Sequence, residues 1–245
     1  MPPHPAYTAF MILALLVFLL ARRLAPVPRA LAALLWWQRL TLGLTAFVGG
    51  ALGAKLPFVF GRGESWLTEA AWISDGKTIT TGLIGAYLAV ELTKLALGVR
   101  VKTGDTFALP LALALAVGRL GCFFNGCCYG TATVLPWGID FGDGVRRHPT
   151  QLYESLFHVT MAIVLWQLSR HHLLRYQRLK LYLIAYGTYR FFTEFIRPEP
   201  AWWHGLTFYQ WAALILIAGM TIHWLVDARL PHGSPEPVPS PMAGA

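Results

Sequence analysis

The chain places one arginine and all three of its cysteines within ten residues. Arg119 ends an apolar run, and Cys122, Cys127 and Cys128 follow it in the segment GRLGCFFNGCCYG. Guanidinium groups bind phosphate oxygens through paired hydrogen bonds, and thiols act as nucleophiles, metal ligands or small apolar fillers. The segment therefore combines an anion-binding group with potentially reactive side chains at one end of an apolar stretch.

A second charged group lies in the segment YGTYRFFTEFIRPEP. Arg190, Glu194 and Arg197 are four and three residues apart, so they share one face of a helix. Arg119 and Arg190 come from different segments and could hold one phosphate from two sides, while Glu194 would position an arginine or accept a proton. The alternative is that these charges only join helices together. We favour a phospholipid-headgroup site, because charges within apolar segments are costly.

The three cysteines allow three interpretations. As a metal site they lack a convincing fourth ligand, although His148 could serve, and the CxxxxCC spacing is uncommon for zinc, so we predict no metal. As nucleophiles, their thiolates would be favoured by Arg119. As structural residues, they would be small fillers at a helix end, free or joined in a disulfide. We favour the structural role, and a thiol role for Cys122, Cys127 and Cys128 stays open.

The segment RHPTQLYES carries further polar side chains. We predict that Thr150 caps a helix and that Glu154 completes a near capping pattern. Gln151 and Tyr153 could orient a headgroup through hydrogen bonds. His148 is either an ordinary interfacial residue or a proton donor and acceptor.

The composition indicates that a membrane surrounds these segments. Hydrophobic residues make up 56% of the chain and charged residues 13%, with a mean hydropathy of +0.50, whereas about a quarter of a soluble domain is charged. The net charge of +8 comes from basic residues in short groups between apolar runs. This pattern is typical of membrane loops and excludes a nucleic-acid-binding domain.

We predict an all-α, polytopic membrane protein with seven transmembrane helices. Residues 1–230 would form a single transmembrane domain, and the Pro-rich residues 231–245 a disordered cytoplasmic tail. We expect the first helix to be retained, since its basic pair follows the apolar run. The predicted spans are Tyr7–Ala21, Trp36–Phe60, Thr78–Gly98, Phe107–Phe124, Thr150–Leu168, Leu181–Ile196 and Leu206–Val226.

The distribution of Lys and Arg predicts the orientation, because these residues concentrate in cytoplasmic loops. With the N-terminus outside and the C-terminus inside, eleven of them lie on the inner side, six lie on the outer side and three lie within spans. The same topology brings the polar ends of the third, fourth and sixth spans and the RHPTQLYES loop to one depth. We therefore expect one polar site near the outer headgroups.

These segments resemble a known family. GRLGCFFNGCCYG, RHPTQLYES, YGTYRFFTEFIRPEP and GLTFYQWAALILIAGM are similar, in order and spacing, to the signature segments of bacterial prolipoprotein diacylglyceryl transferases, and TTGLIGAYLA resembles their third-span segment. The resemblance covers most of the chain from about Thr80. It implies transfer of the diacylglyceryl group of phosphatidylglycerol to the cysteine thiol of a lipoprotein signal peptide, the lipobox cysteine. This would occur at the outer face of the bacterial inner membrane, without a metal or organic cofactor.

The resemblance also implies roles for single residues. Arg119 resembles the essential phosphatidylglycerol-binding arginine, Gly130 the glycine that closes that motif, and Asn125 a retained asparagine. Arg190 and Glu194 match the RFxxEF pair. We expect catalytic roles for Arg190, Glu194, Asn125 and His148, and lipid binding by Arg119, Gly130, Gln151, Tyr153 and Arg197.

The chain departs from the family at two motifs. TTG replaces the usual HGG at residues 80–82, which removes a histidine that is a candidate base, and Cys122 and Cys127 replace an Asn and a Glu. His148 or Glu194 could then serve as the base. Two alternatives stay open: a divergent phospholipid-dependent transferase with another acceptor, and a non-catalytic lipid-binding protein or transporter. A transporter would place polar groups near the midplane, whereas this sequence concentrates them on one side.

Overall fold

The computed structural model describes residues 5–25, 28–61 and 78–229, and in these ranges most of the chain is helical. The predicted tail, residues 231–245, lies outside them. Two short antiparallel hairpins pair β1 with β2 and β3 with β4, and a 3-10 turn, Glu194–Ile196, continues α7. The elements are α1 Pro5–Leu24, α2 Arg29–Ala32, α3 Trp36–Gly61, α4 Ile79–Ala96, α5 Asp105–Phe124, β1 Ile139–Asp140, β2 Arg146–Arg147, α6 Thr150–Arg170, α7 Arg178–Thr193, β3 Ala201–Trp203, β4 Leu206–Thr207 and α8 Phe208–Arg229.

The seven long helices coincide with the seven predicted spans to within a few residues at each end. Five of them, namely α1, α3 over Trp36–Phe58, α4, α5 and α8, are long and apolar enough to cross a membrane. The all-α prediction is confirmed, and these five predicted spans meet the requirement by length and composition. The other two are α7, which has 16 residues, and α6, which carries buried polar side chains in its first half, from Thr150 to His158.

The centre of the bundle lies between α5, α6, α7 and α8. Small residues of α5, among them Ala108 and Ala112, face large buried side chains of α7, including Tyr182 and Tyr186. Alternation of small and large residues allows helix axes to approach closely without leaving voids. In contrast, no residue of α1 is buried, and its leucines point outward. Outward apolar side chains are what a lipid environment favours.

Glycines join α3 to α4. Gly49 and Gly53 lie one helical turn apart on α3, and both approach Gly85 of α4, where a Cβ atom would overlap the carbonyl oxygen of Gly49. Small residues let two membrane helices approach until their backbones are in contact. The glycines of the segment VGGALGAK, residues 48–55, therefore allow close packing of α3 against α4.

A buried charge cluster ties helix ends together at the opposite end of the bundle from Arg119. Lys180 donates to Asp227 of α8 and, over 2.9 Å, to Gln177 Oε1, while Lys102 Nζ lies 3.2 Å from Asp227 Oδ1. The predicted sixth span begins at Leu181 and leaves Lys180 in the loop before it, and this boundary is wrong. Lys180 lies inside α7, where its partner Asp227 allows it to be buried.

We expect Gly85→Ala to destabilise the protein by about 1–3 kcal/mol, because an added methyl group forces α3 away from α4. Gly43→Ala is the matched control, since Gly43 is a glycine of α3 with nothing within 4 Å of an added Cβ. Thermal unfolding of the purified protein in detergent measures both effects. Equal melting temperatures for the two variants would contradict the packing role of Gly85.

Candidate active site

The site lies where α5 and α7 end and where α6 and α8 begin. Arg119 projects from the last turns of α5, Glu154 from the second turn of α6 and Arg190 from the last turn of α7. Antiparallel neighbours bring these positions together, because the end of one helix lies beside the start of the next. The Ser155 hydroxyl donates to the Ala116 carbonyl over 2.8 Å and fixes α6 against α5 at this depth.

The carboxylate of Glu154 is the centre of the site. Arg119 donates to its Oε2 atom, and Arg190 NH1 lies 3.9 Å from the same oxygen. On Oε1, Tyr186 donates a hydrogen bond of 2.8 Å and His158 Nε2 lies 3.8 Å away. Glu154 is 1% exposed. A charge this deeply buried is stable only with such partners, so Glu154 fixes the relative positions of two guanidinium groups.

A second carboxylate extends the network. Glu194 Oε2 accepts a hydrogen bond of 2.7 Å from Arg190 NH2 and lies 3.7 Å from Arg197 Nε. Arg190, Glu194 and Arg197 thus converge, as their spacing predicts, although Glu194 lies in the 3-10 turn that follows α7. The Thr207 hydroxyl donates to Glu194 Oε1 over 3.5 Å.

A capping box positions Thr207 at this point. The Thr207 hydroxyl accepts from the Gln210 backbone N–H over 3.2 Å, and the Gln210 side-chain oxygen accepts from the Thr207 N–H over 2.9 Å. The pair satisfies backbone donors at the start of α8. The sequence TFYQ therefore determines where α8 begins and which hydroxyl reaches Glu194.

The network has spare hydrogen-bond donors. Three guanidinium groups, those of Arg119, Arg190 and Arg197, face the two buried carboxylates, and Glu199 lies at the edge, 3.7 Å from Arg197 NH2. The Nε atoms of Arg119 and Arg197 are buried and have no hydrogen-bond partner among the described residues. Unused guanidinium donors around a positive centre can bind an anion such as a phosphate.

The cysteine loop lies against this network. Arg119 NH1 is 3.8 Å from Cys122 Sγ, and the three sulfur atoms all lie within 4.8 Å of one another. All three cysteines are free, so the disulfide that the sequence allows is absent from the described cysteines. Hydrogen bonds from the Cys122 and Cys127 thiols, together with the charge of Arg119, lower the pKa of the Cys128 thiol.

Two predicted binding residues hold this loop. Gln151 Nε2 donates to the Cys127 carbonyl over 2.5 Å, and Arg197 NH1 donates to the Cys128 carbonyl over 3.1 Å. The Gln151 side-chain oxygen is buried and has no hydrogen-bond partner in the part of the chain that the structure describes. Asn125 is the C-cap of α5 and lies two positions before Cys127.

Gly130 lies at a crowded junction between chain segments. An added Cβ would stand 2.6 Å from the Ile196 carbonyl oxygen and 2.8 Å from the Cβ atom of His148, and the Gly130 N–H donates to the His148 carbonyl over 2.8 Å. Only glycine fits here, which provides a packing reason for the residue at this position.

His148 and Tyr153 form a separate polar pair. His148 Nδ1 lies 3.3 Å from the Tyr153 hydroxyl, which also accepts a hydrogen bond of 2.8 Å from Trp137 Nε1. Trp137 and Tyr153 line a cavity of about 550 Å³ together with Leu152. The side-chain hydrogen bond described for His148 is therefore with Tyr153, outside the ion-pair network.

A larger cavity, of about 800 Å³, lies between α3, α4 and the start of α8. Thr81, Glu199 and Tyr209 contribute its polar atoms, and Leu56 and Leu88 are among its apolar lining residues. The hydroxyls of Thr80 and Thr81 are buried and have no partner among the described residues. The cavity therefore adjoins both the TTG segment and the edge of the arginine network.

The capping prediction for the RHPTQLYES segment is wrong. Pro149 is the N-cap of α6, and Thr150, the first helical residue, donates to the Cys128 carbonyl over 2.6 Å. Glu154 is the buried centre of the ion-pair network instead of a capping residue. A sequence signal for this exists: Gln151, Glu154 and His158 recur at spacings of three and four, which places a polar stripe on one face of α6.

The helices define a multi-pass membrane protein, and the comparison with known proteins identifies its class as a membrane transferase. Residues 5–226 match the family described as prolipoprotein diacylglyceryl transferase. The chain belongs to this family.

Curated relatives support the same assignment. The phosphatidylglycerol–prolipoprotein diacylglyceryl transferase of Clostridioides difficile (strain 630) is 39% identical over 190 residues, which is 75% of this chain and 76% of the relative. The enzyme of that name from Methylobacillus flagellatus is 34% identical over 200 residues, or 76% and 74% of the two chains. The one from Clostridium tetani is 32% identical over 169 residues, or 65% and 68%.

We expect Glu154→Gln to destabilise the protein by about 3–5 kcal/mol, because neutralising the carboxylate leaves the buried guanidinium of Arg119 without its compensating charge, whereas Arg190 keeps Glu194. Glu91→Gln is the control. Glu91 forms a more exposed pair with Lys94, at 2.9 Å and three residues apart on α4, whose loss costs about 0–1 kcal/mol. Denaturant unfolding in detergent gives both values. Similar losses of unfolding free energy in the two variants would contradict the central structural role of Glu154.

Proposed function

We propose that the chain transfers the diacylglyceryl group of phosphatidylglycerol to the cysteine thiol of lipoprotein precursors, at the outer face of the bacterial inner membrane. One observation carries the proposal: Arg119 of α5 and Arg190 of α7 converge on one buried carboxylate, and the Nε atoms of Arg119 and the neighbouring Arg197 have no hydrogen-bond partner among the described residues. The names of the relatives supply the substrates, and the arginine network is the feature of this chain that suits a phospholipid phosphate.

The reaction would proceed by displacement at carbon. The thiol of the acceptor cysteine would give its proton to a base, for which His148 and Glu194 are the candidates. Its sulfur donates an electron pair to the glyceryl carbon, the bond from that carbon to the phosphate oxygen breaks, and glycerol phosphate leaves. Negative charge develops on the departing phosphate. Preorganised guanidinium groups stabilise such charge, because their positions are fixed before the reaction begins. The Glu154 and Glu194 carboxylates would keep Arg119 and Arg190 in place.

The remaining site residues would act around this centre. Arg197 carries the third guanidinium and would add to the binding of the anionic headgroup. The Gln151 side-chain oxygen, which has no hydrogen-bond partner among the described residues, could accept a hydrogen bond from the headgroup glycerol. Tyr153 and His148 lie at the neighbouring cavity and would contact the headgroup or the acceptor peptide. Asn125 and Gly130 lie at the two ends of the loop that carries Cys127 and Cys128, and they would help to determine its conformation.

The proposed orientation places this site outside. Seven spans with the N-terminus outside and the C-terminus inside put the ends of α5 and α7 at the outer leaflet. The Lys180–Asp227 cluster then lies at the inner leaflet. Lys and Arg, including those next to that cluster, are more numerous on the inner side, as the positive-inside rule requires.

Arg119→Lys is expected to lower kcat/KM about 100-fold to 1,000-fold, since lysine keeps the charge but loses the fork that binds two phosphate oxygens. The assay follows transfer from phosphatidylglycerol vesicles to a lipobox peptide by mass spectrometry. Arg170→Ala is the control, because Arg170 ends α6 away from the network and lies over the Trp166 ring. The proposal fails if the lysine variant keeps full activity.

Single cysteines report the orientation when all three native cysteines are replaced by serine. Val134→Cys, at a residue 98% exposed between α5 and α6, should react with a membrane-impermeant maleimide in intact cells. Leu174→Cys, at a residue 41% exposed between α6 and α7, should react only after permeabilisation. The reversed pattern would place the site in the cytosol and exclude transfer at the outer face.

A further inference from the structure

The three thiols are arranged as metal ligands. A tetrahedral zinc site has Zn–S bonds of about 2.3 Å, which places its sulfur atoms about 3.8 Å apart. Here Cys127 Sγ and Cys128 Sγ are 3.7 Å apart, and all three sulfurs lie within 4.8 Å of one another. Changes of a few tenths of an ångström to about one ångström, within the reach of side-chain rotation, would close the set around one ion.

We propose that Cys122, Cys127 and Cys128 bind one Zn²⁺ and that its fourth position takes the thiolate of the acceptor cysteine. The inference rests on the proposed transferase function and deepens it. Catalytic zinc sites combine three protein ligands with one position for water or substrate. The missing fourth ligand, which argues against a metal in the sequence, is thus the property that a thiol-activating site needs.

The loop that carries these residues is held in a shape that brings the sulfurs together. Gly126 and Cys128 both have left-handed backbone conformations, with φ of 64°. For Cys128 this conformation costs free energy that the surroundings must supply. Hydrogen bonds from Thr150 to the Cys128 carbonyl and from Gln151 to the Cys127 carbonyl stabilise it. Fixed ligands reduce the entropic cost of binding an ion.

The charges around the cluster suit an anionic zinc complex. Three thiolates and one Zn²⁺ carry a net charge of −1, and a bound acceptor thiolate makes it −2. Arg119 NH1 lies 3.8 Å from Cys122 Sγ, and Arg197 donates to the Cys128 carbonyl. These cations offset the charge and leave the sulfurs accessible, since Cys128 is exposed and the other two are half-buried.

The cysteine cluster lies next to Arg119, and this position would place the two substrates close to each other. Arg119 lies between Glu154 on one side and Cys122 on the other. A phosphate held by Arg119 and an acceptor sulfur on the zinc would therefore be neighbours. The guanidinium of Arg119 would thus place the acceptor sulfur, the nucleophile, next to the phosphate that leaves.

The step balances without a further reactant. The acceptor thiol loses its proton to water when its sulfur binds zinc, because a coordinated thiol is deprotonated. The sulfur electron pair then forms the C–S bond to the glyceryl carbon, the C–O bond breaks, and its electron pair leaves on glycerol phosphate. Zinc keeps its oxidation state throughout. Metal coordination would thus do the work of the base that the TTG segment lacks.

The metal site can be tested on the full-length protein purified from membranes. We expect about one zinc per chain in the wild type, by elemental mass spectrometry. The Cys122→Ser, Cys127→Ser and Cys128→Ser variants should bind zinc at least about 100-fold more weakly, because each loses a ligand. Val134→Ala, an exposed position in the same connection, should match the wild type. Melting temperatures of all variants separate metal loss from unfolding.

Cobalt reports the fourth ligand, and the wild type alone is enough for this measurement. After chelation and reconstitution with Co²⁺, we expect the thiolate-to-cobalt charge-transfer band and the visible bands of a tetrahedral site. A lipobox peptide with its cysteine should change these bands, whereas the same peptide with serine should leave them unchanged.

The outcomes distinguish failure of the zinc proposal from failure of the proposed transferase function. A zinc-free wild type with no cobalt–thiolate band, or one in which two of the cysteines form a disulfide, overturns the inference even if the chain transfers diacylglyceryl groups. Zinc binding without a response to the cysteine peptide overturns the role of the fourth position. Zinc binding with that response but no transfer from phosphatidylglycerol supports the site and overturns the proposed function.

Discussion

The buried carboxylate of Glu154 is the interaction on which the arrangement of this end of the bundle depends. It accepts from Arg119 of α5, lies within 4 Å of Arg190 of α7 and accepts from Tyr186 of the same helix. Three helices therefore meet at one anionic point. Because these groups are buried, removing one partner leaves an uncompensated charge in a region of low dielectric and destabilises the whole arrangement. The positions of the guanidinium groups are set by this requirement.

The fold was largely predictable, because apolar runs of membrane length leave few alternatives to a helix. Each predicted span coincides with a helix, and the glycines of VGGALGAK mark the α3–α4 contact. The convergence of Arg190, Glu194 and Arg197 also followed from their spacing. The roles of α6 and α7 were harder to foresee, since their polar residues are covered by other helices and not by lipid.

The sequence predicted which residues belong to the site better than it predicted which of them contact one another. Glu154 was interpreted from its neighbours in sequence as part of a cap, whereas its partners are 35 and 32 residues away. Long-range pairing of charges leaves no periodic signal in one segment. The same holds for Lys180 and Asp227, which are 47 residues apart. The sulfur cluster was visible as a motif, but its compactness depends on the left-handed turn at Cys128.

The cavity between α3, α4 and α8 has a consequence for the energetics of a lipid substrate. Its lining is mostly apolar, and Glu199, which lies 3.7 Å from Arg197 NH2, connects it to the edge of the arginine network. Under the proposed function, acyl chains held in this cavity would stay in apolar surroundings while the headgroup contacts the arginines. Extraction into water would cost about 0.8 kcal/mol for every methylene group. An apolar cavity that took the acyl chains would avoid this cost, and the binding free energy would then come from recognition of the headgroup.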